Sequence, residues 1–108
     1  MANGILGSQD LTLNTYTSIY EVPADTFSVV TVNICNKNSA SITVRLAIAK
    51  STESLPQADD YLEYETEILP NGVLERTGIV LEAGRKVFAH SSASSTAVVA
   101  YGIETATS

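Results

Sequence analysis

The sequence contains no tryptophan, one cysteine and one histidine. Because it has no partner, Cys35 cannot form an internal disulfide, and its apolar neighbours predict that it is a small buried hydrophobe. A single histidine excludes a multi-histidine metal site within the chain, and no G-x-S-x-G motif exposes a nucleophilic serine near His90. We therefore predict no enzymatic activity, no catalytic residue, no metal site and no cofactor, and we interpret His90 as a surface residue at a strand end.

Basic residues are also scarce, because 6 lysines and arginines stand against 12 aspartates and glutamates and the net charge is -6. A chain with this balance has no basic patch for a phosphate backbone, so we predict no contact with nucleic acid or with an anionic membrane. The sequence has neither a signal-peptide pattern nor an apolar run of about 20 residues, which favours assembly in the cytoplasm.

What the sequence does contain is a series of short segments in which apolar and polar residues alternate. The clearest are TFSVVTVNICN at 26–36 and SITVRLAIA at 41–49. We predict that the first is a central strand and that the two form a hairpin around the turn Asn36-Lys37-Asn38-Ser39. The residues predicted to face the core are Val30, Val32, Ile34, Ile42, Val44, Leu46 and Ile48.

Further strands are predicted at 16–22, 61–68, 74–81, 86–90 and 97–104, with a short edge strand in an N-terminal arm of about residues 1–14. This pattern indicates an all-β fold, a single antiparallel β-sandwich of about seven or eight strands that covers residues 1–108 as one domain. Jelly-roll and immunoglobulin-like windings both fit the pattern, although the Cys…Trp…Cys spacing of a true immunoglobulin domain is absent.

Acidic residues are concentrated between Lys50 and Arg76, a stretch that contains no base. Alternation along the strand predicts that Glu63, Glu65 and Glu67 lie on one solvent-facing surface. We predict an intersubunit interface formed by Asp59, Asp60, Glu63, Glu65 and Glu67. Neutralising the first four of these together is expected to leave the isolated domain as stable as before or slightly more stable. The alternatives are a solvated strand face and a Ca²⁺ site at Asp59 and Asp60.

The five tyrosines are the other group of interest, because their rings are suited either to stacking on a sugar or to packing within the sandwich. They are Tyr16, Tyr20, Tyr61, Tyr64 and Tyr101.

Several segments together resemble short β-sandwich virion proteins of tailed bacteriophages, of the cyanophage and marine phage type. The segments are MANGILGSQ at the start, IYEVPA at 19–24, VVTVNICNKNSASITVRLAIA at 29–49, LPNGVLERTGIVLEAGRKVFAHSS at 69–92 and AVVAYGIE at 97–104. The resemblance implies a non-enzymatic structural protein of the virion, either a capsid decoration protein or a tail, neck or fibre subunit. Its implied partners are other virion proteins and further copies of itself, with a trimer favoured. A glycan- or calcium-binding module used in host attachment is the alternative.

Overall fold

The computed structural model describes residues 3–107, and within that range the chain forms eight strands and no helix. The strands are β1 (Asn3–Leu11), β2 (Thr17–Glu21), β3 (Thr26–Asn36), β4 (Ile42–Ala49), β5 (Tyr61–Ile68), β6 (Val73–Leu81), β7 (Lys86–Ser91) and β8 (Thr96–Ala106). In this part of the chain there is no helix with the length and apolar character needed to cross a membrane.

The strands form two antiparallel four-stranded sheets, the first in the order β1-β8-β3-β6 and the second in the order β2-β7-β4-β5. The pairing is nested, because β1 pairs with β8, β2 with β7, β3 with β6 and β4 with β5. A long antiparallel ribbon that is folded over itself gives this arrangement, which is the winding of a double-sheet jelly roll. The prediction of an antiparallel sandwich of about seven or eight strands is confirmed, with eight strands observed.

The predicted hairpin between β3 and β4 is wrong, since these neighbouring strands lie in different sheets. Asn36, which is fully buried, holds the crossover between them. Its Nδ2 donates to the carbonyl oxygens of Ala40, Ile68 and Leu69, and its Oδ1 accepts a hydrogen bond from the backbone N–H of Asn38. These polar turn residues therefore carry the chain from one sheet to the other. A hairpin and a crossover leave the same alternation in the flanking strands, so the alternation did not distinguish them.

The core lies between the sheets, and all seven residues that were predicted to face it are buried. The prediction for Cys35 is wrong, because this side chain is only half-buried. Cys35 follows Ile34, which points into the core, and strand geometry therefore turns the thiol to the outer face of the first sheet.

Polar side chains connect the two sheets on both sides of the core. The buried Tyr20 hydroxyl of β2 is hydrogen-bonded to Ser28 and Glu104 in the first sheet. Burial, followed by the bond to the Glu104 carboxylate, raises the pKa of Tyr20 to about 12. On the opposite side, Arg76 of β6 donates to Glu63 of β5 at 3.1 Å. Both outer strands of the second sheet, β2 and β5, are therefore joined to the first sheet by polar side-chain contacts.

Irregular pairing is confined to the outer strands of both sheets. The central pairs β3–β8 and β4–β7 keep an unbroken register, whereas β1, β2, β5 and β6 each contain at least one extra residue relative to the neighbouring strand. In β6 the extra residue is accommodated at Gly78, whose φ of 68° favours glycine. In β1, Gly7 is required by a close approach, because a Cβ there would lie 2.1 Å from the carbonyl oxygen of Ile19.

Candidate binding groove

A concave groove lies on the outer side of the second sheet. It has a volume of about 470 Å³ and is lined by Pro56, Gln57, Ala58, Tyr61 and Tyr64. We call it the tyrosine groove. One wall comes from the loop between β4 and β5, and the other wall comes from the first half of β5.

Small side chains beneath the groove allow aromatic rings to lie against the sheet. Ala47 pairs with Phe88 on one side and with Tyr61 on the other. Ala47, Ala49 and Phe88 are buried there, and the rings of Tyr16 and Tyr61 pack on them. The outer face of this sheet therefore carries a second, smaller apolar cluster that is separate from the core between the sheets.

Arg45 organises the aromatic side chains around the groove. Its guanidinium donates through Nη1 to the Tyr16 hydroxyl at 2.7 Å and through Nη2 to Glu65 Oε1 at 2.6 Å. The same group lies 4.5 Å from the centroid of the Tyr64 ring, a cation–π distance. Tyr64 in turn meets Tyr61 edge to face at 4.9 Å. These contacts fix the ring orientations before any ligand is present.

The polar groups beside the groove have shifted pKa values. Burial, followed by the hydrogen bond with the Tyr16 hydroxyl, raises the pKa of Tyr61 to about 12. The hydrogen bond from Arg45 lowers the pKa of the Glu65 carboxyl, so this carboxylate stays charged into the acid range.

His90 also belongs to this cluster: it lies next to the last residue of β7, as the interpretation of a strand-end histidine expected, but its side chain is half-buried instead of freely exposed. Its ring lies 4.6 Å from the Tyr16 ring on the outer face of β7, and its Nδ1 is buried without a hydrogen-bond partner among the described residues. Burial, with a contribution from the nearby Arg45 charge, lowers the pKa of His90 below its ordinary value. The imidazole is therefore neutral near pH 7.

Lys50 holds the loop that forms one wall of the groove. Its ammonium donates to Asp60 at 2.9 Å and to Asp59 at 3.0 Å. The Asp60 side chain is only 2 % exposed and accepts a further hydrogen bond from the backbone N–H of Gln57. Lys86 adds a bond to the Glu53 carbonyl oxygen. The wall is therefore built from tight polar contacts within the chain.

These contacts change the interpretation of the acidic residues. A cation of the same chain already lies between Asp59 and Asp60, which leaves the calcium alternative without support. Among the described residues, no group of three or more histidine, cysteine, aspartate or glutamate side chains is placed to hold a metal.

The three glutamates of β5 do not share one surface as expected. Two extra residues interrupt the pairing of β5 with β4, and Glu65 has a positive φ of 53° at the first of them. Glu63 is therefore opposite the inward-facing Leu46 and reaches Arg76 of the other sheet, whereas Glu65 binds Arg45 on the outer face. Glu67, opposite Thr43, is exposed.

Residues 6–93 match the family model of the fourth Ig-like domain of Trs120/TRAPPC9. The chain belongs to this family of Ig-like domains. The matched range contains every residue of the tyrosine groove. The family description and the nested strand order agree on a sandwich of two sheets. Sandwiches of this architecture differ in the order in which the chain connects their strands. No curated protein and no solved structure shows a significant match to the chain.

The assignment of this Ig-like domain as a phage virion structural protein, whether capsid decoration, tail or host-attachment component, is wrong. The family match is to a domain of Trs120/TRAPPC9 and lends no support to a virion role. The segments that carried the resemblance are strands and turns of the sandwich, and such residues specify a fold more strongly than a role.

Sequence reasoning found only part of the groove of this Ig-like domain. Three of the tyrosines meet on one sheet face, whereas Tyr20 lies between the sheets and Tyr101 lies in the first sheet. Arg45 and Lys50 were missed as organising residues. Arg45 did have a signal, since it is the only charged residue inside the apolar strand β4.

Proposed function

We propose that this Ig-like domain is a non-enzymatic protein-binding module and that its partner is a second copy of itself. The observation that carries the proposal is an exposed apolar row across the outer side of the first sheet. We call this surface the apolar face, and it comprises Ile5, Phe27, Val29, Val80 and Ile103.

The apolar face crosses neighbouring strands without interruption. Val29 of β3 pairs with Val80 of β6 on one side and with Ile103 of β8 on the other. Val80 is 68 % exposed and Ile103 is 50 % exposed, so the row faces solvent in the single chain. Scattered exposed apolar residues are ordinary, but an apolar row that spans three strands is typical of an interaction surface.

A second copy fits this surface for two reasons. The row itself contains no charged side chain, so two copies related by a two-fold axis bring no like charges together at the centre of the contact. An apolar row is also chemically complementary to the same row on a second copy. The net charge of -6 on each chain opposes the approach of two copies, and salt weakens that repulsion. Association is therefore expected to strengthen as the salt concentration rises.

Light scattering or sedimentation over a concentration series tests the proposal. The wild-type chain is expected to exceed the mass of a monomer at high concentration, and Val80→Lys is expected to remain monomeric because it places a charge in the row. Val73→Lys is the matched control, since Val73 is 56 % exposed on the same strand. It lies about 20 Å from Val80 along that strand.

A monomeric wild-type chain at every concentration, or equal loss of association in both variants, contradicts the proposal. The trimer that the resemblance implied stays a prediction, and the same mass measurement distinguishes it from a dimer. No catalytic step is part of this function.

A further inference from the structure

We infer that the tyrosine groove binds an extended, proline-rich peptide segment that carries a basic residue. The groove lies on the second sheet, on the opposite side of the sandwich from the apolar face. The inference is thus independent of self-association, and either can fail without the other.

The shape of the groove favours proline rings. Tyr61 and Tyr64 meet at an interplanar angle of 84°, so together with Pro56 they form an angular slot and not a flat platform. A polyproline II segment presents a ridge of pyrrolidine rings at three residues per turn, and such ridges dock into aromatic-lined slots. Arg45 covers one face of the Tyr64 ring, so a sugar can stack only on its other face.

The hydrogen-bonding groups of the groove also suit a peptide with a fixed backbone. Tyr64 is 59 % exposed, so its hydroxyl is available to donate to a peptide carbonyl oxygen. The hydroxyls of Tyr16 and Tyr61 are already bonded to each other, and the Tyr16 hydroxyl also accepts a hydrogen bond from Arg45. Polyproline II has no internal hydrogen bonds, and its carbonyl groups project outward where such a donor can reach them.

The charge around the groove favours a peptide that carries a basic residue. The loop wall carries Asp59, whose side chain is 75 % exposed, and the β5 wall is followed by Glu65 and Glu67. Lys50 is bonded to Asp59 and Asp60, and Arg45 is bonded to Glu65, so together with Glu67 these groups hold four carboxylates against two cations. The surroundings are therefore acidic overall, and a peptide arginine or lysine is attracted at longer range than an uncharged peptide.

The groove is ordered before binding, which lowers the entropic cost of capture. The loop wall is fixed by the Lys50 contacts with Asp59 and Asp60 and by the bond from Lys86 to the Glu53 carbonyl oxygen. A polyproline II peptide is also ordered in advance, so little conformational freedom is lost on either side.

An NMR titration with a blocked peptide of about ten residues, rich in proline and containing arginine, tests the inference. Saturable shifts are expected at Gln57, Tyr61 and Tyr64. The Tyr64→Ala variant is expected to weaken binding by about tenfold or more. Tyr101→Ala, which truncates a tyrosine of the opposite sheet, is the matched control and is expected to leave affinity within about twofold. Replacing the peptide arginines by glutamate is expected to weaken binding, with the largest effect at low salt.

Three results overturn the inference. The first is the absence of saturable peptide binding up to millimolar concentration, and the second is equal weakening by Tyr64→Ala and Tyr101→Ala. The third is saturable binding of a soluble oligosaccharide at Tyr61 and Tyr64 by a chain that does not bind the peptide. Because Tyr64 is exposed, its truncation leaves the fold intact, and a thermal melt of the variant verifies this directly.

Discussion

Asp60 is a residue at which charge and burial oppose each other. Burial alone raises the pKa of its carboxyl, but hydrogen bonds that include those from the Gln57 backbone and the Lys50 ammonium lower it below the ordinary value. A carboxyl with a lowered pKa stabilises the fold above its unfolded-state pKa of about 3.9, and this contribution is lost as the pH falls through the lower folded-state pKa.

The Asp60→Asn variant is therefore expected to lose about 1–3 kcal/mol of unfolding free energy at pH 7. The difference from the wild-type chain is expected to shrink in acid, where the wild-type carboxyl is protonated. Urea titrations at neutral and acid pH measure both values. Asp59→Asn is the control, because Asp59 contacts the same Lys50 but is exposed, and a cost as large as that of Asp60→Asn counts against this account.

His90 allows a direct test of the burial described for the aromatic cluster. It is the only histidine, so its ring proton signal needs no assignment by mutation. Because burial and then Arg45 disfavour the imidazolium, the NMR titration midpoint is expected below about 6.5. Arg45→Gln is expected to raise the midpoint, since it removes a positive charge. The neutral ring stabilises the fold above pH 6.5, and this contribution is lost as the pH falls through the folded-state pKa. A midpoint at or above 6.5 contradicts this burial.

Among the elements, β1 and β2 approach each other closely where the two sheets meet. A Cβ at Gly7 would lie 2.1 Å from the backbone oxygen of Ile19, and a backbone atom cannot rotate away. The Gly7→Ala variant is therefore expected to lower the unfolding free energy by about 1–3 kcal/mol in a denaturant titration. Ser8→Ala, an exposed change in the same strand, is expected to stay within about 0.5 kcal/mol of the wild-type chain. If Gly7→Ala is as stable as the wild-type chain, the close approach of Gly7 to the Ile19 carbonyl oxygen is contradicted.

The strands are also the level at which the sequence was most informative. Alternation identified β3 to the exact residues, and it identified the inward faces of β3 and β4. It did not reveal that these strands belong to different sheets, because alternation describes which face is buried and not which strand lies beside it. It also failed for β5, where the extra residues move Glu63 and Glu65 to different faces. The contact between Arg45 and Tyr16 joins positions 29 residues apart, and only the folded chain brings them together.

For the whole molecule, the acidic residues stabilise the fold through partners in the same chain. Glu63 pairs with Arg76, Glu65 pairs with Arg45, and both loop aspartates pair with Lys50. Neutralising Asp59, Asp60, Glu63 and Glu65 together is therefore expected to destabilise the isolated domain, because attraction within the chain outweighs the repulsion that is relieved. Thermal melts of this variant and of the wild-type chain at low and high salt measure the effect. A variant that melts at the wild-type temperature or above supports the opposite expectation from the sequence, that neutralisation leaves the domain equally or slightly more stable.

The extra residues in β1, β2, β5 and β6 determine how the molecule can and cannot grow into larger assemblies. Adding a strand from another chain requires a straight row of free N–H and C=O groups along an outer strand. In this molecule each such row is broken by an inserted residue, so outside strands cannot continue the ladder in register. Backbone pairing therefore ends at these four edge strands, and fibril growth by addition of further strands is opposed there. Copies can still meet through side chains on the sheet faces, and a two-fold contact of this kind closes at two copies.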